Sequence, residues 1–287
     1  MWIFYSFLTS FLETAKDVIG KTSSQKTDEY VSAFFFQFFA LLFLLPLVIS
    51  SGIPQLKTGF WASLSIGIIL NTTWNILYMK AVKLSPLSVS IPMLAFNPIF
   101  TALLSIYFDN KLPSLIGWIG IILVSIGIYF QRLNKATLKK GILHPFKEIK
   151  DEPGSLAMLG VALIWSLGAH ITKLNVVTSS TTFSAFARTL IPVIILFFIT
   201  KKKSKFNFKS IKPHLLHLAP LGIVNGISKV TLGKALSLGY TPYVMPVKRT
   251  SIVWSSIAGK VLFKEEIKPI KIISLTLIMV GIIFIIL

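Results

Sequence analysis

Two adjacent cations, Lys248 and Arg249, interrupt an otherwise apolar stretch covering residues 241–262. An ionisable side chain at mid-membrane depth costs several kcal/mol unless it faces a partner or water. Arginine offers a planar bidentate fork and lysine a point charge, so the pair has the chemistry of an anion clamp. Neighbouring residues on a helix point about 100° apart, so the two cannot both face lipid. The alternative is that they snorkel to the interface or pair with an acid that ties helices together. Basic residues outnumber acids inside the apolar stretches, so pairing cannot neutralise all of them.

Asn225 and Lys229 are four residues apart, as are Asn71 and Asn75, which puts each pair on one helical face. Such faces either line a shared polar cavity or hold helices together by hydrogen bonds of about 1 kcal/mol each. Lys229 is the strongest cavity residue of the four. Arg188 precedes Pro192 by about one turn and either joins the basic group or pairs with a carboxylate. Glu13 is the deepest acid, with Asp17 one turn beyond it. A carboxylate buried in an apolar stretch can hold a transferable proton, and Glu13 is the candidate for such a coupling acid. Otherwise it bridges to the basic group or to Lys16.

His170 reads as a packing residue more readily than as a proton relay. His214 and His217 have no acid or further histidine beside them, so no metal site and no cofactor are expected. Glu265 and Glu266 lie among Lys264, Lys268 and Lys271, as in a solvated, charge-paired loop. No nucleophile–base pairing is visible, and an enzyme is not expected. Pro92 and Pro246 each remove a helix hydrogen bond and are either hinges or static kinks.

The elements that must position these residues follow from composition. Of 287 residues 54% are hydrophobic and 14% charged, with a mean hydropathy of +0.76. A soluble domain carries about 25% charged residues. Here the charges cluster between apolar runs of spanning length. Ten spans are expected, at 2–20, 30–50, 60–79, 86–108, 114–131, 155–173, 181–200, 215–236, 241–262 and 270–287. The chain also repeats itself. A shift of 154 residues lays Asn71 on Asn225, Lys80 on Lys234, Pro92 on Pro246, Gly127 on Gly281 and Phe130 on Phe284.

The expected fold is therefore an all-α polytopic membrane protein of ten transmembrane helices in two five-helix repeats. The first repeat is 1–131, the basic connecting loop is 132–154, and the second repeat is 155–287. Five is an odd number, so the second repeat enters the membrane inverted. Internal repeats in membrane proteins point to transporters with a site near the midplane, worked by alternating access.

The net charge is +19. Most Lys and Arg lie in loops beside spans, where they set orientation and meet anionic headgroups. Nucleic-acid binding is not expected, because no soluble domain is present to carry it. The basic loops follow odd-numbered spans, which by the positive-inside rule puts both termini outside the cytoplasm of a plasma (inner) membrane. The opening run, Met1 to Leu12, has no basic n-region or A-x-A site and reads as a retained span. There is no cysteine.

The stretch Lys80-Ala-Val-Lys-Leu-Ser-Pro-Leu-Ser-Val-Ser-Ile-Pro92, then Asn97-Pro98, and its partner Lys234-Ala-Leu-Ser-Leu-Gly-Tyr-Thr-Pro242 with Pro246-Val-Lys-Arg-Thr-Ser251, resemble the drug/metabolite transporter superfamily, in particular its EamA-type ten-helix members. The resemblance covers essentially the whole chain. It implies secondary or facilitated transport of a small polar metabolite. The Val247-Lys248-Arg249 run also resembles the ninth helix of triose-phosphate translocators, where a dibasic pair is understood to hold substrate phosphate. Leu94 stands here where that branch has a further lysine, and Asn97 where it has glutamate. With the basic residues, the resemblance implies an anionic or zwitterionic substrate: an organic phosphate, carboxylate or amino acid. A lipid-carrier flippase is the alternative within the same architecture, and a membrane receptor or enzyme is the remote one. Substrate and lipid bilayer are the expected partners, with protons and a homodimer left open.

Overall fold

The computed structural model describes residues 1–23, 29–133, 135–147, 152–203, 208–266 and 268–287; side chains at 22, 23, 29, 75, 87, 135, 136, 147, 203 and 208–217 lie outside the described ones. In chain order the helices are α1 (Trp2–Ser23), α2 (Glu29–Ser51), α3 (Phe60–Leu84), α4 (Leu87–Ser90), a 3-10 segment (Ile91–Phe96), α5 (Asn97–Asp109), α6 (Leu115–Arg132), α7 (Lys135–Lys140), α8 (His144–Lys147), α9 (Pro153–Val177), α10 (Thr181–Lys203), α11 (Phe208–Leu238), α12 (Thr241–Lys248), α13 (Ser251–Phe263) and α14 (Pro269–Ile286). Backbone satisfied within each segment is what a hydrocarbon environment demands of a spanning chain.

Every stretch expected to span is helical. Seven helices among the described residues are long and apolar enough to cross a membrane: Tyr30–Ser51, Phe60–Leu84, Ser88–Asp109, Leu115–Arg132, Pro153–Val177, Thr181–Lys202 and Pro269–Ile286. The remaining three expected spans correspond to α1, α11 and the α12–α13 pair. They carry Glu13 and Lys16, Lys229, and Lys248 with Arg249, all half-buried.

Two expected spans are not continuous helices. The fourth passes through α4 and the 3-10 segment before α5. Pro92 at the start of the 3-10 segment and Pro98 at the start of α5 lack the N–H groups a continuous α-helix would use. The ninth breaks at Arg249 and Thr250, whose amides turn back to Pro246 O at 2.9 Å and Val247 O at 3.0 Å. Pro246 lies within α12, just ahead of that break. Shifting Ile91–Phe96 by 154 residues gives 245–250, so the second interruption falls where the internal repeat places the first.

The chain forms two compact units. The first comprises residues 1–64, 173–238 and 254–265, the second 65–172, 239–253 and 266–287. Each unit takes helices from both sides of the 132–154 loop. In the first, Val31, Phe34 and Phe35 of α2 pack with Val193 of α10 and Leu218 of α11. In the second, Ala81, Met93 and Leu94 pack with Met158, Val161 and Ala162 of α9. There α6 and α14 meet at almost no separation. A Cβ on Gly127 would lie 2.6 Å from Ile278 Cγ1 and 2.9 Å from Ser274 O, and one on Gly281 would lie 2.7 Å from Gly120 O. Small residues permit this close approach, which in lipid supplies the packing that the hydrophobic effect cannot.

A candidate functional site in the first unit

α1 carries Thr9, Glu13 and Lys16 at helical spacing, so all three turn toward the same neighbour. That neighbour is α11. Glu13 Oε1 accepts from the Lys16 ammonium at 2.9 Å and from the Ser228 hydroxyl at 2.8 Å. Lys16 Nζ also reaches Asn225 Oδ1 at 3.5 Å, and the Thr9 hydroxyl donates to Thr231 Oγ1 at 3.0 Å. The buried Nδ2 of Asn225 has no hydrogen-bond acceptor among the described residues.

On the next turn of α11, Lys229 Nζ donates to Gln37 Oε1 of α2 at 2.8 Å and to Thr189 Oγ1 of α10 at 2.7 Å. Both partners are neutral, and no carboxylate pairs with Lys229 among the described residues. Arg188 and Lys16 are the charges acting on its ammonium. The group thus holds Lys16, Lys229 and Arg188 against the single carboxylate of Glu13, a formal surplus of two positive charges. Its shape depends on how closely α11 approaches α2. A Cβ on Gly222 would lie 2.5 Å from Phe39 Cβ and 2.9 Å from Phe36 O, and one on Gly226 would lie 2.9 Å from Phe43 Cδ1. The two glycines, four apart, allow a lysine on one helix and a glutamine on the other to meet directly.

Glu13, Asn225 and Lys229, singled out in the sequence, thus lie together along α1 and α11, with Arg188 near enough for its charge to act on Lys229. Glu13 is ion-paired with Lys16. Gln37 escaped sequence reasoning, although it is the sole polar residue in the run Ala33–Pro46. Thr189 and Ser228 gave no signal, since hydroxyls in apolar helices usually bond back to their own helix.

Asn71, Lys248, Arg249 and His170 lie in the second unit. Asn71 is exposed, and its Oδ1 accepts from Trp74 Nε1 one turn on, at 2.7 Å. The side chain of Asn75 lies outside the described residues, as do those of His214 and His217. Lys248 ends α12 and Arg249 caps it, where positive charge complements the C-terminal end of a helix dipole. Arg249 Nη2 donates to Asn97 Oδ1 at 3.3 Å, and its guanidinium carbon lies 5.9 Å from the Trp165 ring centroid. Asn97 is held for this contact by donating through Nδ2 to Ser166 Oγ at 2.8 Å and Ala162 O at 3.2 Å.

His170 stacks on Phe108 at 4.9 Å between ring centroids, its Nε2 donating to Thr101 O at 3.0 Å. Its Nδ1 lies 3.6 Å from Asp109 Oδ2, a partner the sequence did not suggest. No group of three or more metal-ligating side chains occurs among the described residues.

Long apolar helices enclosing a network of buried polar and charged side chains define an integral membrane protein. The EamA-like transporter family model matches residues 1–132 and 152–287, and the chain belongs to that family. It is 26% identical over 251 residues to an uncharacterized transporter of Archaeoglobus fulgidus, an alignment covering 83% of this chain and 82% of that protein. A solved crystal structure superposes with a TM-score of 0.75 over 99% of this chain and 96% of that one; at 15% identity the likeness is one of fold.

Proposed function

We propose that this membrane transporter carries a small anionic or zwitterionic metabolite, and that the network of Lys229, Arg188, Lys16 and Asn225 binds its anionic group. The observation that carries this reading is Lys229 itself: a half-buried ammonium whose protein partners, Gln37 and Thr189, are both neutral. A charge withdrawn from water without a counter-ion is expensive, and an incoming carboxylate or phosphate would supply one. Arg188 adds the bidentate donor, and the unused Nδ2 of Asn225 adds a neutral donor beside them.

Ten crossings in two inverted five-helix repeats and movement by alternating access belong to the same reading, as do non-cytoplasmic termini. Support comes from helices at all ten expected stretches and from the coincidence of the two helix interruptions with the internal repeat. Pro92 and Pro246, each beside an interruption, are the proposed hinges. Lys248 and Arg249 are the second cationic group in the proposal. The partners of Arg249 favour a role in tying the fourth and ninth helices.

The test is counterflow in proteoliposomes preloaded with a panel of unlabelled organic phosphates, carboxylates, amino acids and cations. Anions or zwitterions should drive uptake of the labelled substrate in wild type but not in Lys229→Gln. Exchange supported by cations alone, or unaltered in the variant, would overturn the assignment.

A further inference from the structure

The second unit contains a cavity of about 330 Å³ that the transport network does not use. It is bounded by Ala95, Phe96 and Ile99 on one side and by Ser125, Ile126, Tyr129 and Phe130 of α6 on another, and it is roofed by Ile142, Leu143 and Phe146. The roof is fixed in place. The Tyr129 hydroxyl donates to Ile142 O at 2.5 Å, and the Phe146 ring lies 5.0 Å from that of Tyr129 and 6.0 Å from that of Phe96. α7 is tied down separately, with Thr137 Oγ1 donating to Ser88 O at 3.2 Å.

The cavity has a buried floor and an open edge. Ala95, Ser125 and Tyr129 are buried, whereas Ile126, Ile142, Leu143 and Phe146 are exposed, Leu143 by 61%. Its size is at the low end for small-ligand pockets, about 300–1,000 Å³. One polar atom in its wall, the buried Oγ of Ser125, has no partner among the described residues.

The rim has the opposite character. The segment running from α6 over the roof contains Arg132, Lys135, Lys139, Lys140 and Lys147 and no acid at all between 131 and 147. Arg132 lies two residues beyond the lining residue Phe130. Lys139 and Lys140 immediately precede Gly141 and the lining residue Ile142. All three side chains are exposed. A ligand for this place needs an apolar tail beside a negatively charged head.

We propose that the cavity binds one acyl chain of an anionic phospholipid from the surrounding bilayer, with the headgroup phosphate on Lys139, Lys140 and Arg132 and with the Ser125 hydroxyl available to an ester carbonyl. Charge complementarity selects this occupant over a neutral lipid. Cations beside a membrane span attract anionic headgroups, and burying the tail's methylenes adds the area-dependent contribution. The lipid is a resident of the cavity, and the site is separate from the network proposed for the transported metabolite.

The test is titration of the delipidated, detergent-purified protein with phosphatidylglycerol, phosphatidylcholine of the same acyl chains, and glycerol 3-phosphate, read by thermal stabilisation and by native mass spectrometry. Phosphatidylglycerol should bind as a single retained lipid and raise the melting midpoint more than phosphatidylcholine. Glycerol 3-phosphate, which lacks a tail, should do neither. Lys139→Gln and Lys140→Gln, both at exposed positions, should each weaken phosphatidylglycerol roughly fivefold and leave phosphatidylcholine unchanged. Equal responses to the two lipids, or lysine variants that bind phosphatidylglycerol like wild type, would overturn the proposal. Glycerol 3-phosphate matching phosphatidylglycerol would show a headgroup site and remove the acyl chain from the cavity. Transport of the lipid itself in a scramblase assay would replace the resident lipid with a cargo.

Discussion

Arg249 donates to Asn97 at 3.3 Å, so the side chain that caps the first part of the ninth helix reaches the residue that opens the α-helical part of the fourth. Interrupted helices leave backbone groups to be satisfied by side chains and neighbours. Here the Asn97 amide is used at both ends, by Arg249 and by Ser166.

A double-mutant cycle between Arg249→Gln and Asn97→Ala should therefore show coupling of about 0.5–2 kcal/mol in stability, the range for residues sharing one network. Arg249→Lys should recover little of it, because lysine lacks the planar fork and the Trp165 contact. Additive effects of the two substitutions would show that the contact ties nothing.

Gly222→Ala places a methyl group 2.5 Å from Phe39 Cβ and 2.9 Å from a backbone oxygen, which has no rotamer to yield. The expected cost is about 1–3 kcal/mol. Moving α2 away from α11 also draws Gln37 off Lys229, so transport should fall even where folded protein is recovered. Gly20→Ala is the control, with no heavy atom within 4 Å of the added group. Equal stability and transport in the two variants would contradict this account of helix approach.

Glu13→Gln removes the single carboxylate from the network and leaves Lys16 with Asn225 alone. The loss should be about 1–2 kcal/mol for a pair whose side chains are 16% and 25% exposed. If Glu13 is also the acid through which transport is coupled to protons, the variant will still exchange substrate but will no longer accumulate it against a gradient when driven by a pH difference. Retained pH-driven accumulation would leave Glu13 an ion-pair partner and nothing more.

His170→Phe keeps the stacking surface against Phe108 but removes the donor to Thr101 O and the nitrogen facing Asp109. A loss of about 1–3 kcal/mol is expected, from the donor removed at Thr101 O. The measurement is the melting midpoint in detergent. A midpoint equal to wild type would make the pairing incidental.

How much of this was legible in the sequence depends on the range of the interaction. Apolar runs and their spacing determined where the helices lie, because each span satisfies its backbone within itself. Glycines 127 and 281 were visible as repeat equivalents, but their meeting across α6 and α14 was not; Glu13, Arg188, Asn225 and Lys229 could be named because charged and amide side chains are conspicuous in an apolar run. What could not be read is which helices meet. The pairing of α1 with α11 and of α2 with α10 joins residues 215 and 170 positions apart, and no local pattern encodes it. The helix interruptions were only half legible. Pro92 and Pro246 were read as hinges or static kinks, and a proline is as compatible with a kinked continuous helix, as at Pro46 in α2 and Pro192 in α10.

The central claim is that Lys229 holds the anionic group of the substrate. It is tested most directly by thermal stabilisation of the purified protein against organic phosphates, carboxylates and amino acids, in wild type and in Lys229→Gln. A ligand that binds the folded state raises the melting midpoint by mass action. The account predicts that at least one anion or zwitterion stabilises wild type and that Lys229→Gln, folded and with its own midpoint, loses that shift. The same shift in both proteins, or stabilisation by cations alone, would contradict it.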